Sequence, residues 1–383
     1  MTQSDERHLI DVIELTLVPG VGTQTQRKLC SLYPDISELF SLSADALERL
    51  GIPPDGCLSI ASRRYHSMAQ EILGWSDTDG RRLLLVDLPG YPSLLKEIYD
   101  PPLVLYAQGY IEVLGLPCVA IVGTRRPTYY GLQMAQGLAA DLAARRVCIV
   151  SGLARGIDAA AHRGCLEYGP TVAVLGCGID IVYPREHRYL SRKILESGLL
   201  LSEFPPGTSP SPQNFPVRNR LISGLALGTL IVEAGEYSGS LITARLAMEQ
   251  NRDVFGLPGN LTSPQSFGPN FLIKQGAKLV QSWRDIVEEF PPEIRHRILA
   301  QEESRVSETP ELQLLTQEET AVLELLQTDQ ATQFDKLFRK SGLEIPQLSD
   351  VLLNLEMRGW IRQVPGNLYV KVARPAYPGG ARR

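Results

Sequence analysis

Between residues 80 and 290 the chain repeats one hydrophobic pattern. A short apolar run is followed by a Gly-containing break and then by a polar stretch with apolar positions at helical spacing. The runs Leu83–Asp87, Leu103–Tyr106, Val119–Gly123, Val147–Gly152, Thr171–Gly176, Leu199–Ser202, Thr229–Glu233 and Asp253–Leu257 are predicted strands. Several are apolar at nearly every position, as strands covered on both faces are. Leu132–Arg145, Ala159–Tyr168, Arg188–Glu196 and Leu241–Gln250 are predicted helices. This alternation predicts an α/β unit at 80–290, a Rossmann-like, doubly wound and mostly parallel sheet. Ligands of such sheets bind outside the carboxyl ends of the strands.

The flanks follow other patterns. Residues 1–75 read as helical, with Ile10, Ile13, Leu17, Leu29 and Leu32 at helix spacing. Pro19-Gly20-Val21-Gly22 reads as the turn of a helix-hairpin-helix or SAM-like unit. That turn is either a backbone cradle for a DNA phosphate or a plain turn between packed helices. Residues 291–312 carry Pro-Pro and charge without apolar periodicity and are expected to be a linker. Residues 313–372 predict three helices, Glu319–Gln327, Gln333–Lys340 and Ile345–Arg358, and then a hairpin, a winged-helix pattern. The third of these helices offers Gln347, Asp350, Asn354 and Glu356 with few bases, which suits an accessory or protein-docking role better than phosphate contact. Residues 373–383 are expected to be a disordered tail.

Composition narrows the function. With 383 residues the chain is long enough for two or three domains. A net charge of -5 excludes a protein coated in positive charge but leaves room for a local basic cleft. The six cysteines form no C-x-x-C pair, and several lie in apolar runs, which fits a reducing, cytoplasmic setting. The first ten residues lack the order of a signal peptide, and no apolar run approaches the roughly 20 residues of a membrane span.

The candidate chemistry lies in the breaks after the strands. In VAIVGTRRPTYYG, Gly123 lets a ligand approach the backbone, Thr124 follows, and Arg125 supplies a guanidinium fork. This is not the G-x-G-x-x-G fingerprint, and the next strand ends in Ser151-Gly152 where a ribose-binding carboxylate would stand, so dinucleotide binding is disfavoured. In VSGLARGIDAAAH, Gly152 and Arg155 rim a helix start, Asp158 caps it or complements its dipole, and His162 has no partner at metal-ligand spacing. In VLGCGIDIVYPREH, Cys177 lacks a base, and Asp180 either accepts from a loop backbone or pairs with a nearby Arg. In FPVRNRLISGL, Phe215 offers a stacking face, Asn219 a polar group, and Arg218 and Arg220 two cations that cannot share a helix face, so either the segment is not yet helical or only one of them points into the cleft. In VEAGEYSGSLITARLA, Gly239 and Ser240 open a helix and suit a phosphate. Asn270 and Lys274, in GPNFLIKQGAKLV, are expected at the edge of the same cleft. Leu272 and Ile273 beside them suit packing or a subunit interface. No catalytic residue, metal ligand or cofactor is assigned.

In order and spacing these segments, with LLSEFP and RDVFGLPG, resemble the DNA-processing protein A (DprA/Smf) family from about Leu83 to Phe290. The resemblance implies a homodimer that binds single-stranded DNA in a basic pocket centred on Gly123, Thr124 and Arg125. It also implies protection of incoming strands and loading of the RecA recombinase in natural transformation, with no enzymatic turnover. One departure is that Ser209–Gln213 holds no base where some relatives have a Lys, so charge must come from elsewhere, such as Arg218 or Lys274. Two other readings are open. The first is a nucleotide phosphoribohydrolase-like enzyme or sensor with Glu233 or Glu236 as its acid. The second is a docking module in which DNA binding is vestigial.

Overall fold

The computed structural model describes residues 3–308 apart from 77 and 79, and residues 315–372 apart from 328, 329 and 365. The central sheet has nine strands: β1 (Arg81–Leu85), β2 (Val104–Gly109), β3 (Cys118–Val122), β4 (Cys148–Ser151), β5 (Thr171–Val174), β6 (Leu199–Ser202), β7 (Gly228–Ile231), β8 (Asp253–Gly256) and β9 (Lys278–Leu279). Their spatial order is β1-β2-β6-β5-β4-β3-β7-β8-β9. Pairing is parallel from β6 through to β9, and antiparallel for β1 with β2 and β2 with β6. All eight predicted strands are present, within three residues at each end. The chain runs outward from β3 to β6 and then returns to place β7 on the other side of β3. The strand order therefore switches direction between β3 and β7, where such sheets open a crevice.

Both faces of the sheet are covered, as the apolar runs require. Val119 and Ile121 of β3 pack on one side with α7 (Tyr129–Ala143), α8 (Ile157–Leu166), α13 (Trp283–Val287) and α14 (Pro292–Glu308). Ala120 and Val122 face the other core with α9 (Arg188–Leu195), α10 (Asn214–Gly224) and α11 (Gly239–Glu249). Beyond β8, α12 (Phe267–Lys274) leads to the edge strand β9.

Helices α1 (Gln3–Leu17), α2 (Thr23–Leu32), α3 (Ala44–Arg49), α4 (Pro54–Ala61) and α5 (His66–Ser76) form the amino-terminal unit. It shares one continuous core with β1, β2 and the short α6 (Ser93–Lys96), and Trp75 meets Tyr106 edge-on at 6.2 Å. The Pro19–Gly22 turn is packed rather than open. Val21 is buried, and Gly20, at φ +75°, abuts Pro53 so closely that a Cβ would lie 2.5 Å from it.

The expected linker is structured where it is described. Residues Pro292–Glu308 form α14, whose Ile298 is buried in the sheet core and whose Glu302 pairs with Arg145. Its apolar positions are sparse among charges, so no periodicity marks it in the sequence. The carboxyl-terminal unit holds α15 (Gln317–Glu324), α16 (Phe334–Ser341) and α17 (Ile345–Met357), with a small sheet of β10 (Thr332–Gln333), β12 (Leu368–Lys371) and β11 (Ile361–Val364). Thr316 and Glu319 form the reciprocal cap expected at the start of α15. This is the winged-helix order. The expected tail, 373–383, lies outside the described residues.

Candidate nucleic-acid interface

A cavity of about 620 Å³ opens at the switch point. Strand-end turns and the start of α10 build it. The loop after β3 contributes Gly123, Thr124, Arg125 and Arg126, and the loop after β7 contributes Ser238, Gly239 and Ser240. The first two turns of α10 add Phe215, Arg218 and Asn219, and Tyr183 lines the cavity too.

The loop after β3 is held by the end of β7. Thr124 donates its backbone N–H to the Glu233 carbonyl at 2.7 Å. The buried Glu233 carboxylate accepts from the Thr128 N–H at 2.8 Å and, through its other oxygen, from the Thr128 hydroxyl. Gly123 is required because a Cβ would lie 2.6 Å from Ile157 and 2.8 Å from the Glu233 carbonyl. With both oxygens engaged in loop bracing, Glu233 is poorly placed to act as the acid of a hydrolase. Glu236 is exposed.

Phe215 is the centre of the arrangement. The Arg125 guanidinium lies 5.4 Å from its ring centroid, that of Arg218 lies 5.9 Å away, and the Tyr183 ring is 5.6 Å away at 31°. Arg125 and Arg126 are exposed, and among the described residues neither makes an ion pair. Arg218 is buried, and its Nη1 donates to the carbonyls of Gly152 at 2.7 Å and Val174 at 2.5 Å. Burial, helped by the neighbouring charge of Arg125 against the opposing pull of Asp158, lowers the Arg218 pKa to about 10, so it stays a cation at neutral pH. Two neighbouring guanidiniums beside an aromatic face favour an anion that also carries a flat ring.

On the opposite wall α11 begins. Ser238 caps it, its hydroxyl accepting weakly from the Ser240 N–H at 3.4 Å and sharing a hydrogen bond with the Ser240 hydroxyl at 2.7 Å. A Cβ at Gly239 would meet nothing within 4 Å, so the backbone there is open to a ligand. The first amides of an eleven-residue helix thus look into the cavity, an arrangement that attracts phosphate.

The sequence reading is corrected at several residues. Arg220 faces away from the cavity; it is buried against Glu203 and, at 3.1 Å, Asp100, and serves the core. Arg218 is therefore the one of the pair that faces the cleft. Gly152 borders a side recess, but its N–H is taken by Asp158 at 3.1 Å and its carbonyl by Arg218, so its backbone is not free for phosphate. Arg155 rims the same recess and is held in a two-bond pair with Glu186 at 2.6 and 2.7 Å. Asn270 exchanges hydrogen bonds with Gly259 at 3.2 and 3.0 Å, bracing the Leu257–Asn260 turn, and does not line the cavity. Lys274 is exposed on the last turn of α12 and does not line it either.

Asp158 lies in the first turn of α8, where it complements the helix dipole. It is not the cap, since Gly156 stands at the N-cap and the Asp158 carboxylate braces the preceding loop. Asp158 also accepts from the Ala154 N–H at 3.3 Å, and its pKa is raised, because burial outweighs the lowering by Arg218. Asp180 accepts from the Gly207 N–H at 2.8 Å, so of its two expected roles it takes the loop brace. Burial pushes the Cys177 thiol up to about 11, which leaves it protonated at neutral pH. Tyr183, Arg126 and Ser238 were not singled out in the sequence, although each lies inside a motif that was.

Comparison with known proteins agrees with this architecture. Residues 82–291 match the family described as DNA recombination-mediator protein A, and residues 306–367 match the DprA winged helix domain. The chain is 40% identical over 311 residues to Protein Smf of Escherichia coli, covering 80% of this chain and 81% of that one. It is 47% identical over 230 residues to the DNA processing protein DprA of Bacillus subtilis, covering 60% and 77%. The solved structure of DNA processing protein A from Streptococcus pneumoniae is similar with a TM-score of 0.65 and 34% identity, over 76% of this chain and 99% of that one. By the family match over most of its sheet domain, and by relatives aligned over most of their length, this chain belongs to the DNA recombination-mediator protein A (DprA/Smf) family.

Proposed function

We propose that the cavity at the β3/β7 switch point binds single-stranded DNA, stacking a base on Phe215 and holding phosphates with Arg125, Arg126, Arg218 and the first amides of α11. The observation that carries this is the Phe215 ring, flanked by two guanidiniums at 5.4 and 5.9 Å and facing Tyr183. A stacking face is sequence-tolerant, and a duplex could not present an unstacked base to it. No helix among the described residues is long and apolar enough to cross a membrane.

Within this reading the protein is a cytoplasmic strand-binding mediator without turnover, which protects incoming DNA and helps load RecA. Its support is the family membership, together with Glu233 engaged in bracing rather than free for chemistry. We further propose a homodimer through the outer face of α12, where Phe267 and Phe271 are exposed and stacked at 5.9 Å, while Leu272 packs inward.

The test is oligo-dT binding by Phe215→Leu and Phe215→Ala. Each lost base stack costs roughly 1–3 kcal/mol, so both variants should bind between about fivefold and about 150-fold more weakly. Native affinity in both would remove the stacking site. Release of free base from a nucleotide substrate would favour the phosphoribohydrolase-like reading instead.

A further inference from the structure

We infer that a single strand leaving the cavity runs along the outer face of α9, where Arg185, Arg188 and Arg192 form a track for its phosphates. This rests on the strand-binding reading above and extends it beyond the cavity.

The route is continuous. The side recess shares Arg125, Tyr183, Phe215 and Arg218 with the main cavity and is walled on its far side by Arg155 and Pro184. The next residue is Arg185, at the start of a single 3-10 turn, Arg185–His187, that runs directly into α9.

The orientation of this segment is fixed from beneath. His187 is buried, with Nδ1 2.8 Å from the Leu153 carbonyl, and Leu190, Ser191 and Ile194 are buried behind it. These inward contacts turn Arg185, Arg188 and Arg192 outward, and all three are exposed. Their spacing of three and then four residues places them on one helix face, over about 10 Å of axis. Tyr189, 72% exposed, stands beside them, and Tyr183 marks the cavity end.

Their charge is uncommitted. Among the described residues none of the three makes an ion pair. The two carboxylates of the same segment are already engaged, Glu186 by Arg155 and Glu196 by Lys193 at 3.0 Å. In a chain of net charge -5, three unneutralised guanidiniums in a row beside a phosphate site are a local concentration of positive field. A duplex-reading surface would need a groove-sized projection. This face offers a row of exposed guanidiniums with Tyr189 and Tyr183 exposed beside it, which suits a flexible strand.

The experiment compares oligo-dT of six and of twenty nucleotides by fluorescence anisotropy over a salt series. Proteins are the native full chain, the triple variant Arg185→Ala/Arg188→Ala/Arg192→Ala, the same positions changed to Lys, and Arg125→Ala. The triple Ala variant should lose at least about tenfold in affinity for the longer strand, with a salt slope shallower by about 2, at roughly 0.7 per phosphate contact. It should bind the short strand within twofold of native, and the Lys version should restore most of the loss. Native affinity and slope for the longer strand would overturn the track while Arg125→Ala still reports on the cavity. Equal losses for both lengths would also overturn it, since a general field rather than a path would then be at work. Failure of Arg125→Ala to weaken either length would instead remove the cavity reading on which the track depends.

Discussion

The Arg218 Nη1 donates to the Gly152 carbonyl at 2.7 Å, and a Cβ on Gly152 would lie 2.6 Å from that same nitrogen. One glycine just after β4 thus sets the position of a buried cation carried by α10. The charge that reaches the cavity is held by carbonyls at the ends of β4 and β5 rather than by a carboxylate, which leaves it available to a ligand's phosphate.

Gly152→Ala should therefore displace Arg218. The expected cost is about 1–3 kcal/mol, the range for leaving buried hydrogen-bonding groups unmade, read from urea unfolding. Oligo-dT affinity should fall in the folded protein too. A variant with native stability and native binding would show that the two residues are not coupled.

Arg220 gives the opposite separation. Arg220→Met leaves Glu203 buried without its partner, and removal of one member of a buried pair costs about 3–5 kcal/mol. Strand affinity of the protein that remains folded should match the native value, because Arg220 does not line the cavity. A selective loss of DNA binding at native stability would return Arg220 to the site.

Glu233→Gln keeps the shape of the loop brace but loses the acceptor pair that holds Thr128. Stability should fall by about 1–3 kcal/mol, and strand binding should weaken modestly as the Thr124–Thr128 loop relaxes. Circular dichroism melts and anisotropy on the same sample measure both. An unchanged melt would mean the brace is not used.

His162 is fully buried, and its pKa is lowered to about 3, first by burial and then by the charges of His187 and Arg218. The folded state therefore takes up this proton less readily than the unfolded chain. Stability from this group is present above pH 6.5 and is lost as pH falls from there toward 3. Its slope is at most about 1.4 kcal/mol per pH unit. His162→Gln should flatten the fall in stability between neutral pH and pH 4, and a slope identical to that of the native chain would contradict the assignment.

The sheet was legible because a strand covered on both faces has to be apolar throughout, as Val119–Val122 and Val172–Val174 are. Its two antiparallel connections, β1 with β2 and β2 with β6, leave no comparable trace in the sequence. Helix α10 was illegible because Phe215-Pro216 reads as a loop. Pro216 is tolerated in the first turn, where backbone N–H groups have no intrahelical partner. The site was legible as far as its turns. Glycines that need close approach and arginines beside them pointed to loops that line the cavity. The two-residue spacing left two arrangements, a segment not yet helical or a single arginine in the cleft, and α10 takes the second. The sequence carries no sign of which arginines have acidic partners distant in the chain. Arg155 with Glu186 and Arg220 with Glu203 therefore read as free cations, and Asn270 as a ligand contact rather than a brace for Gly259.

The most direct test is oligo-dT binding by native protein and Arg125→Ala across a salt series. Arg125 is exposed, makes no ion pair among the described residues, and lies over the Phe215 ring, so its removal should leave the fold intact. The account predicts at least about a tenfold loss of affinity and a salt slope shallower by roughly 0.7, one phosphate contact on a single strand. Affinity and slope equal to those of the native protein would contradict it.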